Sequence, residues 1–262
     1  MKKKEKTKKE RLHLLDTLRG IAILGMVFIH ATFFLPDILG VNPPYADSFG
    51  YEMFCQAVRI GFIFLSGFCC RMGKHPVRRG LIVSAAGLAI TLVSVIAKMG
   101  DQIIFGVLTL IGASMILASP FKKLIGKKNA PALFFVFLIL FLATVRLSYG
   151  YFGIFRHPVF HWPKSWYAIE NPVLGPVLAF LGLPQRGFFS SDYFPLMPWF
   201  FMFMAGFSLE AWIFDRIKTK KFMSFRMEPV TFLGKYSLWV YFIHLPVILG
   251  ILYARSYFRR QI

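Results

Sequence analysis

Seven apolar runs, each long enough to cross a hydrocarbon core of ~30 Å, decide what this chain can fold into. In windows of roughly 19 residues they cover residues 19–38, 53–71, 80–98, 102–119, 131–149, 193–212 and 231–253. A backbone in lipid has to satisfy its N–H and C=O groups internally, which leaves helices or a closed barrel. The runs are too long and too uniformly apolar for barrel strands. The expectation is therefore an all-α polytopic membrane helix bundle with about seven transmembrane helices. The run VLGPVLAFLGL at 173–183 is too short to span and is interrupted by Gly175 and Pro176, so it reads as a re-entrant or interfacial segment. Residues 1–262 read as a single membrane domain, with a basic tail at 1–13 and one long loop at 150–192. No internal repeat, glycine-rich phosphate loop or G-x-S-x-G elbow is read in it.

The net charge of +19 raises the question of a nucleic-acid partner, and the positions of the basic residues argue against one. They follow the positive-inside rule. If MKKKEKTKKER is cytoplasmic, so are the basic loops RMGKHPVRR (71–79), PFKKLIGKKNA (120–130) and IFDRIKTKKFMSFRME (213–228). The first outward loop, PDILGVNPPYADSFGYE, has no basic residue and carries Asp37, Asp47 and Glu52. The expected topology is N-terminus cytoplasmic and C-terminus extracytoplasmic in a cell inner (plasma) membrane, with attraction to anionic membrane lipids. The long apolar run after the tail has a polar interior and reads as an uncleaved first helix. Cys55, Cys69 and Cys70 all fall in the second span, which argues against a disulfide framework or a zinc site and reads as packing; no metal is expected.

Ionisable side chains at membrane depth cost several kcal/mol unless paired or facing water, so each is a candidate for function. In the first span Asp16, Arg19, Ile23, Met26 and His30 form a stripe at spacings of three and four. Arg19 and His30 lie on one face, roughly 16 Å apart along the axis. In the second span Glu52, Gln56, Arg59, Ile63 and Ser66 repeat the spacing, and in the last Ser237, Tyr241 and His244 share a face. His30, His244 and Arg59 converge in depth, which points to a polar cavity. A neutral imidazole can take and return a proton near pH 7, or carry an acyl group itself. Arginine holds phosphates and carboxylates directionally. The same residues would also suit a proton-coupled transporter or flippase, and each alone would suit packing, so chemistry leaves these readings open.

The blocks LLDTLRGIAILGMVFIH, FIFLSGFCCRMGKHPVRRG, IIFGVLTLIGASMIL, SDYFPLMPWFFMFMAGFSL and FLGKYSLWVYFIHLPVILG resemble, in order, those of bacterial membrane proteins allied to the heparan-α-glucosaminide N-acetyltransferase catalytic domain. The spacing from Arg19 to His30 is also similar to that of the related acyltransferase type 3 family. The resemblance implies acetyl-CoA or another acyl-CoA as donor and an amino or hydroxyl group of a far-side carbohydrate or glycolipid as acceptor. On it, His30 is the catalytic base or acyl carrier and His244 is its catalytic partner. Asp16 and Arg19 organise the donor end, Arg59 and Tyr241 complete the polar path, and Arg78 and Arg79 meet the coenzyme A phosphates. Asp192 and Trp199, from the DYFPLMPW block, lie at the outer mouth. Tyr151, Phe155, His157, His161, Trp162, Trp166 and Tyr167 offer faces and donors to a sugar, or form an interfacial aromatic belt. A homodimer is one way for so few spans to enclose both substrates.

Overall fold

The computed structural model describes residues 12–96, 102–154, 157–169 and 171–259. Residues 1–11 of the basic tail, and Phe155, lie outside them. Ten helices are described: α1 (His13–Leu39), α2 (Phe49–Met72), α3 (Pro76–Ile96), α4 (Val107–Ala118), α5 (Phe121–Leu124), α6 (Ala130–Thr144), α7 (Leu174–Leu181), α8 (Leu196–Ile217), α9 (Glu228–Lys235) and α10 (Ser237–Arg259). Among the described residues, six stretches are long and apolar enough to cross a membrane: α1, α2, α3, Ala130–Tyr149, α8 and Ser237–Phe258. The protein is thus an all-α, multi-pass membrane protein.

The fourth expected span differs from its reading. It forms only α4, 12 residues long or about 18 Å, preceded by a non-helical stretch at 102–106. Local backbone explains the break. Phe105 takes φ +57°, a left-handed conformation unfavourable to a residue with a Cβ. The unwound backbone is paired with a second non-helical stretch instead of a helical turn. Ile104 N–H donates to Ser190 Oγ, Phe194 N–H to the Phe105 carbonyl and Ser191 N–H to the Gln102 carbonyl.

The chain divides into two compact units, Met1–Val58 with Asp215–Ile262 and Arg59–Phe214. Both are assembled through glycines that let helix backbones touch, the packing expected where no hydrophobic driving force separates helix from lipid. In the second unit, a Cβ on Gly67 of α2 would overlap the Phe203 carbonyl of α8, and one on Gly206 would overlap the Phe64 carbonyl. Gly80 and Gly112 bring α3 against α4 in the same way. In the first unit, Gly20 of α1 abuts Val230 and Gly234 of α9 abuts Asp16.

The described residues of the 150–192 stretch are folded. An antiparallel hairpin, β1 (Tyr151–Ile154) and β2 (His157–His161), stacks Phe152 on Phe160. The eight-residue α7 is too short to span, as expected of 173–183. The Tyr167 hydroxyl donates to the Leu147 carbonyl and the Tyr193 hydroxyl to the Ala179 carbonyl. Burial raises the ionisation of both phenols above the usual value of 10.0. The unfolded chain therefore loses these protons first. Stability is at its full value below about pH 10, falls as pH rises above it, and falls less steeply in Tyr193→Phe; thermal unfolding of the detergent-solubilised protein between pH 8 and 11 measures the slope.

Candidate functional site

The polar stripe of α1 lies on its buried face. Asp16, Ile23, Met26 and His30 are each less than a tenth exposed, and Arg19 reaches Asp16 across one turn at 3.6 Å. At the far end of the stripe His30 meets His244 of α10, their ring centroids 5.1 Å apart and their planes nearly perpendicular. Both rings are 8% exposed. His244 Nδ1 bonds the carbonyl oxygen of Tyr241, one turn earlier. Because a carbonyl only accepts, Nδ1 carries the proton, and the lone pair of the neutral ring is on Nε2. The Tyr241 ring lies 5.0 Å from the same imidazole. Pro246, inside α10, withholds one helical N–H just beyond this point. Two imidazoles, one with its tautomer set by the backbone, form a centre that can accept a proton at one ring and return it from the same pair.

Asp16, Arg19, His30, Tyr241 and His244 belong to the first unit. Arg59, Arg78, Arg79, Asp192 and Trp199 belong to the second. Arg59 is half-buried in α2. Arg78 and Arg79, though adjacent, serve different surroundings. Arg78 lines a groove of about 440 Å³ with Lys74, His75, Pro76, Val77 and Leu81, whereas the Arg79 guanidinium lies against Gly73. Asp192 is 6% exposed and accepts from Val107 N–H, the first backbone donor of α4, a helix far from it in sequence. Trp199 is buried between the rings of Phe141 and Phe194, at 5.5 and 5.3 Å. In the 150–192 stretch Trp162 and Trp166 stack at 5.5 Å, with Trp166 and His161 exposed.

Sequence reasoning passed over two groups. Arg71 and Glu210 form an ion pair at 2.9 Å with side chains only 14% and 10% exposed. The same guanidinium donates to the Ile125 carbonyl at 2.7 Å and lies over the Phe207 ring. Glu210 is an acid within an apolar span, which was the available signal. The second group is Thr17 and Thr231, whose hydroxyls meet at 2.7 Å in the α1–α9 contact. Among the described residues no cluster of His, Cys, Asp or Glu has the arrangement of a metal site.

A family model described as heparan-alpha-glucosaminide N-acetyltransferase, catalytic, matches residues 11–246. No curated protein and no solved structure matches the chain. The family match begins just ahead of α1 and ends two residues after His244, so it takes in the whole path from the Asp16 end of the stripe to the histidine pair. On that match the chain belongs to the heparan-alpha-glucosaminide N-acetyltransferase catalytic family, a family of membrane acetyltransferases.

Proposed function

We propose that this protein moves an acyl group, generally acetyl, from cytoplasmic acyl-CoA to an amino or hydroxyl group of an extracytoplasmic sugar or glycolipid. The observation that carries this reading is the buried His30–His244 pair. A CoA thioester supplies the activated acyl group. His30, as general base, takes the proton of the acceptor's hydroxyl or amine while its oxygen or nitrogen bonds to the acyl carbon. The acyl–sulfur bond breaks, and the proton passes to the leaving thiolate. His244, whose Nδ1–H is committed to the Tyr241 carbonyl, works through Nε2. It assists by sharing that proton.

The basic groove of Lys74, His75 and Arg78 suits the phosphates of coenzyme A in charge, and Arg19 stands at the donor end of the α1 stripe. The stacked Trp162 and Trp166 suit the face of a sugar ring, with Tyr151 and His161 alongside. The topology that supports this sidedness is the basic-loop pattern, with the N-terminus cytoplasmic. Purified protein given radiolabelled acetyl-CoA and a cell-envelope glycan extract should release free CoA and label the glycan. A chain that binds no CoA species, yet moves a solute into vesicles when driven by a pH gradient, would instead be a proton-coupled transporter.

A further inference from the structure

The histidine pair is joined to the α1–α9 contact by a pattern that occurs twice. Residues 17–30 read TLRGIAILGMVFIH and residues 231–244 read TFLGKYSLWVYFIH. Each is T-x-x-G followed, after nine residues, by histidine, and each ends in Phe-Ile-His. The expectation of no internal repeat is thereby corrected. The copies share so few residues between their ends that the pattern shows only once the two ends are seen to touch.

They meet at both ends. At the first, the Thr17 and Thr231 hydroxyls are 2.7 Å apart. A Cβ on Gly20 would overlap the carbonyl oxygen of Val230, the residue before Thr231, and a Cβ on Gly234 would overlap that of Asp16, the residue before Thr17. Each glycine therefore faces the same place on the other copy, which gives the parallel seam a local two-fold symmetry. At the second end are the imidazoles of His30 and His244, with centroids 5.1 Å apart. Between the ends the copies differ. The first runs unbroken through α1, whereas the second breaks at Tyr236, the residue that closes α9 and precedes α10.

This arrangement leaves little freedom. At the two glycines the backbones touch directly, and Tyr236 alone links α9 to α10. Where α9 docks thus determines where α10 begins beside α1. Thr231 ties the seam further, since its hydroxyl donates to the Met227 carbonyl and accepts from Met227 N–H.

We propose that the paired T-x-x-G seam is the positioning element of the histidine centre: Thr17, Gly20, Thr231 and Gly234 set the separation of His30 and His244 without touching either reactant. The inference rests on the acyl-transfer reading only in its kinetic consequence.

The test uses the full chain in membranes, with Cys55, Cys69 and Cys70 replaced by Ala and with His30→Cys and His244→Cys introduced. The rate of cross-linking by a short bis-thiosulfonate then reports the separation. Thr231→Val should slow it about fivefold, the scale of one lost hydrogen bond, while Thr231→Ser, which keeps the hydroxyl, stays within about twofold. Gly234→Ala, which must part the backbones, should slow it by roughly an order of magnitude. On the histidine-bearing chain, Thr231→Val should lower kcat while leaving KM for acetyl-CoA within about twofold, a split that general destabilisation would not produce. Cross-linking at the parent rate in Thr231→Val, or equal losses in Thr231→Val and Thr231→Ser, would overturn the proposal. If Gly234→Ala fails to fold, the threonine pair of variants decides. Cross-linking needs no acyl donor, so seam-dependent cross-linking in a chain that transfers nothing would sink the acyl-transfer reading alone.

Discussion

His30→Ala is expected to lower acyl transfer by about 10²- to 10⁴-fold, the range associated with a positioned general acid–base group. The side chain is 8% exposed and lies against His244, so removing it takes away an imidazole and leaves a cavity beside the second one. The predicted loss is mainly in kcat, because Asp16 and Arg19, which we propose organise the donor, are left in place. His244→Ala should cost a comparable factor. The double variant should cost little more than either alone, since residues that act as a unit are strongly non-additive. Single-turnover measurements on purified protein with acetyl-CoA check the size, and binding of labelled acetyl-CoA checks that the site persists. Two independent, multiplying losses would mean that the histidines do not form one centre. An active His30→Ala would remove the proposed mechanism altogether.

Glu210→Ala should destabilise the folded protein by about 3–5 kcal/mol, the cost of leaving a buried charge without its partner. Arg71 presents Nε to Glu210 and Nη2 to the Ile125 carbonyl, while Lys122 donates to the Gly73 carbonyl beside it. One guanidinium thus ties the end of α2 to α8 and to the segment after α5. Arg71→Lys should be nearly as harmful as loss of the acid, because an ammonium lacks the planar fork that serves both partners. Replacing both by apolar residues, Arg71→Met with Glu210→Leu, should recover much of the loss, because no charge is then stranded. Thermal unfolding in detergent separates these outcomes. A change below about 0.5 kcal/mol in Glu210→Ala would put the pair in the class of solvated surface bridges.

The pair also shows where reading the chain stopped short. His30 and His244 were found by counting residues along their own helices, and the fold brings them together as the shared depth suggested. Glu210 and Arg71 needed a different question, namely which lone acid in an apolar span has a basic partner at the same depth. The break at 102–106 was illegible for a related reason. IIFGVLTLIGASMIL is apolar enough for a full span, and nothing within it announces that Ser190, Ser191, Asp192 and Phe194 will pair its first turn's backbone and cap α4.

By itself the sequence determined the membrane class, the long helices, the polar stripe with His30 at one end, and the family. These depend on apolar length and on the 3.6-residue period, which act within one segment. Only the tertiary structure decided which faces meet: Thr17 on Thr231, Gly20 on Val230, Gly234 on Asp16, and His30 on His244. A glycine in a helix is locally a weak residue, and its value comes from a backbone elsewhere in the chain that can approach it. That information is carried jointly by two distant segments and by neither alone, which is why the repeated T-x-x-G-x9-H pattern became visible only when its two copies were found in contact.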